Sequence, residues 1–431
     1  MARLLVVTHA YAPLVSPRAF RWTALCEEFA RQGHRVTVVA GPAPNAPTYE
    51  TRNGVVIHRV AERGLGALRA RASAAHAAAT PVGMPSLKQR ALSVLKAVYH
   101  HTWRRLYWPD YAALWVRPAT RVAENLLQHD AFDALITVSL PFSGHVVGLR
   151  LKKKHPTLPW MADIGDPFSF MDSTPVNNTA LWGGRNRAAD AAVCAAATVL
   201  SVTTDGTRDE YARRFPRGAD KIHVLPPLLS LPEQATASPY APGVKHLVYM
   251  GTLYRHLRSP EPLLALLKAL GTSAGPLAWH FVGSENDAAA CFTPYADLQG
   301  TLVHRHGLQP RAAAAAYLAH ADVLVNIGND TTYQLPSKVV EYLAMGKPIV
   351  NLVRDSSDSS ARFFGPYPHV LTLADTLPLP EKVARLRHFL THLPPAPTGA
   401  ELAARRAPFT PAALAHGYLA ALGLENAPRR D

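Results

Sequence analysis

The stretch LLVVTHAYAPLVSPRAFRWTALCEEFARQGHRVTVVAG, residues 4–41, decides the architecture. Leu4 to Thr8 is a short apolar run, as expected of a strand buried on both faces. A proline-bearing loop follows, and a helix is predicted from about Arg18. Its apolar positions Phe20, Leu25 and Phe29 recur roughly one turn apart, and Gly33 stands where a helix C-cap belongs. RVTVVAG then reads as a second strand. Strand, loop, helix and strand in this order open a doubly wound parallel sheet, so the fold class is α/β.

Similar units recur outward from this stretch. Strands are predicted at 133–139, 159–163, 198–204 and 221–226, with helices at 144–153 and 208–215. The segment 228–244 is rich in Pro and small residues and reads as a linker. The pattern then restarts, with strands at 246–251, 277–283, 321–328 and 348–353 and helices at 260–270, 311–320 and 337–345. Two successive αβ patterns predict two Rossmann-like domains facing a central cleft. Their expected extents are 1–230, joined by a returning terminal helix in 408–431, and 231–405.

Composition narrows the partners. Hydrophobic residues make up 48% and charged residues 18%, which suits a globular chain. Lys and Arg number 45 against 31 Asp and Glu, an excess of +14 that favours anionic partners. No basic tail or RNA-binding signature accompanies it, so nucleic acid is not expected. Cys26, Cys194 and Cys291 are isolated, which fits neither a disulfide framework nor a metal pair and suits a reducing cytosol. No run approaches the roughly 20 apolar residues of a membrane span. A cytoplasmic protein is expected, with no cofactor and no metal.

Chemistry concentrates in QLPSKVVEYLAMGKPIV, residues 334–350. A helix opening near Pro336 and Ser337, after a strand, presents unpaired N–H groups and the positive end of its dipole. Lys338 adds charge there. Glu341, three residues on, is placed to accept from a pair of ribose hydroxyls. Phosphates at a helix N-terminus with a carboxylate one turn later suit a nucleoside diphosphate; a capped surface helix with a Lys–Glu pair fits the same spacing.

The run P-S-K-x-x-E-Y-L-A-x-G-K-P-I-V is similar to the donor-site helix of the family-4-type glycosyltransferases. That resemblance implies the GT-B fold, transfer with retention, and in many members a role in bacterial surface polysaccharide synthesis. The family's second Glu matches Glu341, whereas its first is Tyr333 here. YMGTLYRHLRSPEPLLALL (249–267) resembles the family's phosphate loop. Gly251 and Thr252 let the backbone approach a ligand, Arg258 matches the phosphate-binding Arg, and Arg255 assists. Two fixed cations and a helix N-terminus suffice to stabilise a departing diphosphate without a metal, and the chain has no D-x-D motif. By the same resemblance Arg258, Lys338 and Asp166 are the expected catalytic residues, and the leaving phosphate takes the acceptor proton.

In the first half, Ser16 and Arg18 are expected where acceptor and donor phosphates meet. Asp163 and Asp166 in PWMADIGDP are expected to face the cleft, and Ser139 stands where many members carry a sugar-contacting His. The implied partners are a UDP- or GDP-type sugar donor and a saccharide or lipid-linked acceptor. Two alternatives stand beside this reading. An oxidoreductase is disfavoured by the lack of G-x-G-x-x-G after the first strand. A non-catalytic relative acting as a binding or scaffolding subunit fits the departures at Tyr333 and Ser139. Segment 86–107, which mixes Lys88, Arg90, Lys96, Arg104 and Arg105 with Trp103, Tyr107 and an apolar stripe, suits either an anionic membrane surface or packing on the first domain.

Overall fold

Parallel strands joined by helices build both halves of the chain. The computed structural model describes residues 1–62, 106–171, 175–230, 237–329, 331–336 and 338–425. The chain divides into two compact units, one of Met1–Pro226 with Pro411–Asp431 and one of Pro227–Thr410. Segment 86–107 lies outside the described residues except for Leu106 and Tyr107, as does Ser337. Among the described residues no helix is long and apolar enough to cross a membrane.

The first unit holds β1 (Arg3–Thr8), β2 (Arg35–Ala40), β3 (Tyr49–Arg52), β4 (Val55–Arg59), β5 (Ala134–Ser139), β6 (Trp160–Ile164), β7 (Val199–Val202) and β8 (Ile222–Val224). They form one sheet in the order β3-β4-β2-β1-β5-β6-β7-β8, parallel throughout except for the β3–β4 hairpin. The order reverses between β1 and β5, which pair from Leu4 with Ala134 to Val7 with Thr137. Such a reversal opens a crevice beyond the carboxyl ends of the strands. Helix α1 (Pro17–Arg31) is capped by Ser16, whose hydroxyl accepts from the Ala19 N–H at 3.1 Å. Its inner face buries Trp22, Leu25 and Phe29, each such side chain contributing about 1.5–3 kcal/mol. Phe20, expected on that face, is instead 40% exposed, because the buried stripe runs through Ala19, Trp22 and Cys26.

Asp163 is a second departure. It lies inside β6, is buried, and is consumed by the core rather than offered to a ligand. Its carboxylate accepts from Trp22 Nε1 (2.9 Å), Ser201 Oγ (2.8 Å) and Tyr418 Oη (2.7 Å). Tyr418 belongs to the C-terminal helix Pro411–Ala421 and also accepts from Arg21 at 3.0 Å. One buried carboxylate thus ties α1, β7 and the last helix together, each of its hydrogen bonds satisfying a donor that burial would otherwise penalise.

The second unit holds β9 (Lys245–Met250), β10 (Leu277–Val282), β11 (Val303–Gly307), β12 (Val323–Ile327), β13 (Ile349–Val353) and β14 (Val370–Ala374), all parallel. Their order β11-β10-β9-β12-β13-β14 again reverses at the first strand, here between β9 and β12. One face packs Leu247, Tyr249, Trp279, Phe281 and Val303 against helix Glu261–Leu270 and its neighbours. The other face carries an unusual polar line. Three imidazoles form a hydrogen-bonded chain, His246 Nδ1 to His280 Nε2 at 2.9 Å and His280 Nδ1 to His306 Nε2 at 3.0 Å. The Ala241 carbonyl closes one end and Tyr317 Oη the other.

Candidate functional site

Gly251, Arg258 and Lys338 lie close together at the reversal between β9 and β12. β9 ends at Met250, and Gly251 follows with φ +143°, a conformation that favours glycine. Gly283, just past β10, has φ +144°, and a Cβ there would stand 2.0 Å from the Gly251 carbonyl oxygen. The two glycines let the loops after β9 and β10 pass back to back. Beyond Gly251 the chain folds tightly: the Arg258 N–H donates to the Tyr254 carbonyl at 2.9 Å, which turns Arg258 back toward the sheet. Thr252 is half-buried and its carbonyl accepts from Tyr249 Oη at 3.2 Å.

Lys338 begins helix Lys338–Met345. Its Nζ lies 3.7 Å from the centre of the Tyr249 ring and 3.5 Å from the Met250 carbonyl oxygen. Burial lowers its pKa well below the ordinary lysine value, Arg258 lowers it further, and Glu341 opposes both. Burial also pushes the Tyr249 phenol up to about 12, with Arg258 opposing. Glu341 is half-buried one turn along the helix, beside Tyr342, whose hydroxyl accepts from the Met250 N–H at 3.0 Å. Tyr333 is half-buried in the loop that leads to the helix.

Arg258 meets a residue that sequence reasoning missed. Its Nε donates to Oδ1 of Asn329, which is 4% exposed and lies two residues beyond β12. A polar side chain just past the central strand's carboxyl end was the available signal. Among the described residues, neither Arg258 nor Lys338 is in an ion pair: an amide holds one, and an aromatic ring with a backbone carbonyl holds the other. Two cations held by neutral groups repel each other and leave the site positive, which suits an anion with several oxygens. Arg255 is exposed, and its backbone N–H donates to Asp287 at 3.0 Å.

In the first unit the predicted residues are arranged otherwise. Arg18 pairs with Asp166 at 3.2 Å and lies directly over Gly165, where a Cβ would stand 1.6 Å from a guanidinium nitrogen. Ser16 spends its hydroxyl on the α1 cap. Ser139 is buried at the end of β5, and its hydroxyl finds no hydrogen-bond partner among the described residues. His145 lies in helix Ser143–Lys154, buried, with Nδ1 2.8 Å from Thr137 Oγ1.

No family model matches the chain, and no curated protein matches it. Solved structures do. Sucrose-phosphate synthase from Thermosynechococcus elongatus superposes with a TM-score of 0.59 at 13% identity, covering 99% of this chain and 97% of that one. The catalytic domain of starch synthase IV from Arabidopsis thaliana, bound to ADP and acarbose, gives 0.59 at 10% identity over 99% and 100%. The Anabaena protein HepE in complex with UDP and glucose gives 0.54 at 10% identity over 99% and 98%. At these identities the likeness is one of architecture, and the chain has the GT-B fold.

Proposed function

We propose that this chain is a glycosyltransferase that takes a sugar from a nucleoside diphosphate sugar, and that its second unit holds the donor. The observation that carries the reading is the pair of cations at the β9–β12 reversal, Arg258 and Lys338, each held by neutral groups. A departing diphosphate gains negative charge as the anomeric C–O bond breaks. Positive groups with no direct ion pair stabilise that charge, Arg258 outright and Lys338 in its protonated form, which an arriving anion favours. Glu341, one turn from Lys338, is suited to a pair of ribose hydroxyls, which a carboxylate accepts. The GT-B neighbours solved with UDP and with ADP are consistent with this assignment. Transfer with retention and a saccharide or lipid-linked acceptor are the finer parts of the proposal and rest on the sequence resemblance.

A thermal-shift panel of UDP, GDP and ADP tests it. At 100 times its Kd a ligand adds about 2.7 kcal/mol, roughly 5–10 °C for a unit of this size. One diphosphate is expected to give that rise, and Glu341→Gln to weaken it at least tenfold with the fold intact. No response to any of the three, or a full response in the Glu341→Gln protein, refutes the donor site as described.

A further inference from the structure

We infer that Asn329 is a positioning residue for the proposed donor reaction: it aims the Arg258 guanidinium while leaving its charge available to the diphosphate. The inference rests on the donor-site reading above. Three observations support it. Asn329 stands just past β12, on the other side of the β9–β12 reversal from Gly251, so it borders the crevice that this topology opens. It is 4% exposed, so its amide is fixed by its surroundings rather than free to swing in solvent. Its Oδ1 accepts from Arg258 Nε, the nitrogen within the side chain's stem. A bond at that nitrogen sets the plane of the guanidinium and leaves the two terminal NH2 groups to other partners.

The chemical identity of the acceptor matters as much as its place. A carboxylate at position 329 would accept the same hydrogen bond and bind Arg258 more tightly. It would also cancel the charge that a diphosphate needs and add repulsion toward phosphate oxygens. Arginines elsewhere take either kind of partner: Arg59 pairs with Glu50 at 2.6 Å, whereas the buried Arg21 donates to the Leu225 and Pro226 carbonyls and to Tyr418 Oη. An amide at 329 gives the orientation without the neutralisation. At 4% exposure a neutral amide also avoids the cost of burying a carboxylate, so what separates a positioning role from simple packing is the coupling to Arg258.

The experiment is a double-mutant cycle read by calorimetric binding of UDP, GDP and ADP to the full chain. Asn329→Asp, nearly isosteric, is expected to lower affinity for the diphosphate that binds best at least tenfold. In an Arg258→Gln background the same change is expected to cost clearly less, since only the carboxylate's direct repulsion of the phosphate remains once the group it acts through is gone. Asn329→Ala, which frees Arg258 without adding charge, is expected to fall between wild type and Asn329→Asp, and it carries the test if the aspartate variant does not fold. Wild-type affinity in Asn329→Asp, or equal losses in both backgrounds, overturns the positioning role while leaving the donor site standing. A wild-type protein that binds none of the three diphosphates overturns the donor site and the positioning role together.

Discussion

Acid should unfasten the second unit at its histidine chain, and the structure gives the size of the effect. The Ala241 carbonyl can only accept, so His246 carries its proton on Nε2 and presents Nδ1 as an acceptor to His280 Nε2–H. The same logic gives His280 Nδ1 accepting from His306 Nε2–H, and His306 Nδ1 accepting from Tyr317 Oη–H. Every bond is satisfied with all three imidazoles neutral. An added proton on His280 forces His306 to change tautomer and Tyr317 to turn its hydroxyl. It also places a charge on a residue 7% exposed, with the His304 ring stacked on it and the tilted Tyr240 ring beside it. Burial first, and then the neighbouring histidines, lower the His280 pKa to about 3. The unfolded value is about 6.5, so between the two the unfolded chain binds more protons, and stability falls as pH falls. Linkage with these two values gives a loss of about 2 kcal/mol between pH 7.5 and pH 5. Urea unfolding of wild type and His280→Phe at both pH values reports the chain's contribution, because carboxylates and histidines outside the chain contribute to both proteins. The variant is less stable at pH 7.5, and its deficit should shrink by about 2 kcal/mol at pH 5. A deficit that is the same at both pH values refutes the tautomer argument.

Two further outcomes follow from the same geometry. Asp163→Ala leaves the Trp22, Ser201 and Tyr418 donors buried without their acceptor, so a loss of about 3–5 kcal/mol is expected in urea unfolding, with earlier proteolysis at the C-terminal helix. Diphosphate binding should survive EDTA, since Arg258 and Lys338 supply the positive charge; loss of binding on chelation with recovery on adding magnesium or manganese would count against the site.

How much of this was legible in the sequence depended on whether a residue's role was local. The opening strand, helix and strand were readable because Leu4 to Thr8 and Val36 to Ala40 are short apolar runs flanking a helix followed by Gly33. Gly251, Arg258 and Lys338 were singled out because they lie in the loop after β9 and at the start of the helix Lys338–Met345, where an open α/β sheet has its crevice. The β3–β4 hairpin escaped because Tyr49–Arg52 is polar, and β11 because Val303–Gly307 alternates through His304 and His306 rather than apolar residues. Asp163 was misplaced for a different reason. A central parallel strand is buried on both faces, so its residue pattern does not say which side chain meets the core and which meets a ligand. Asn329 escaped because its partner is 71 residues away and the meaning of the contact lies in the pairing.

That pairing also separates the two units chemically. Net charge alone, +14, does not say where an anion binds; what matters is which cations lack a carboxylate. Arg18 in the first unit already has one, Asp166, so an incoming phosphate must compete with a formed ion pair before it gains anything. Neither Arg258 nor Lys338 has a direct ion pair among the described residues, so an anion there would face no such competition. Asp166 is 41% exposed in its side chain and paired with Arg18. The electrostatics therefore support the proposal that the diphosphate binds the second unit, and under the same proposal an acceptor in the first unit meets a formed ion pair. A negatively charged acceptor would need the Arg18–Asp166 pair to open.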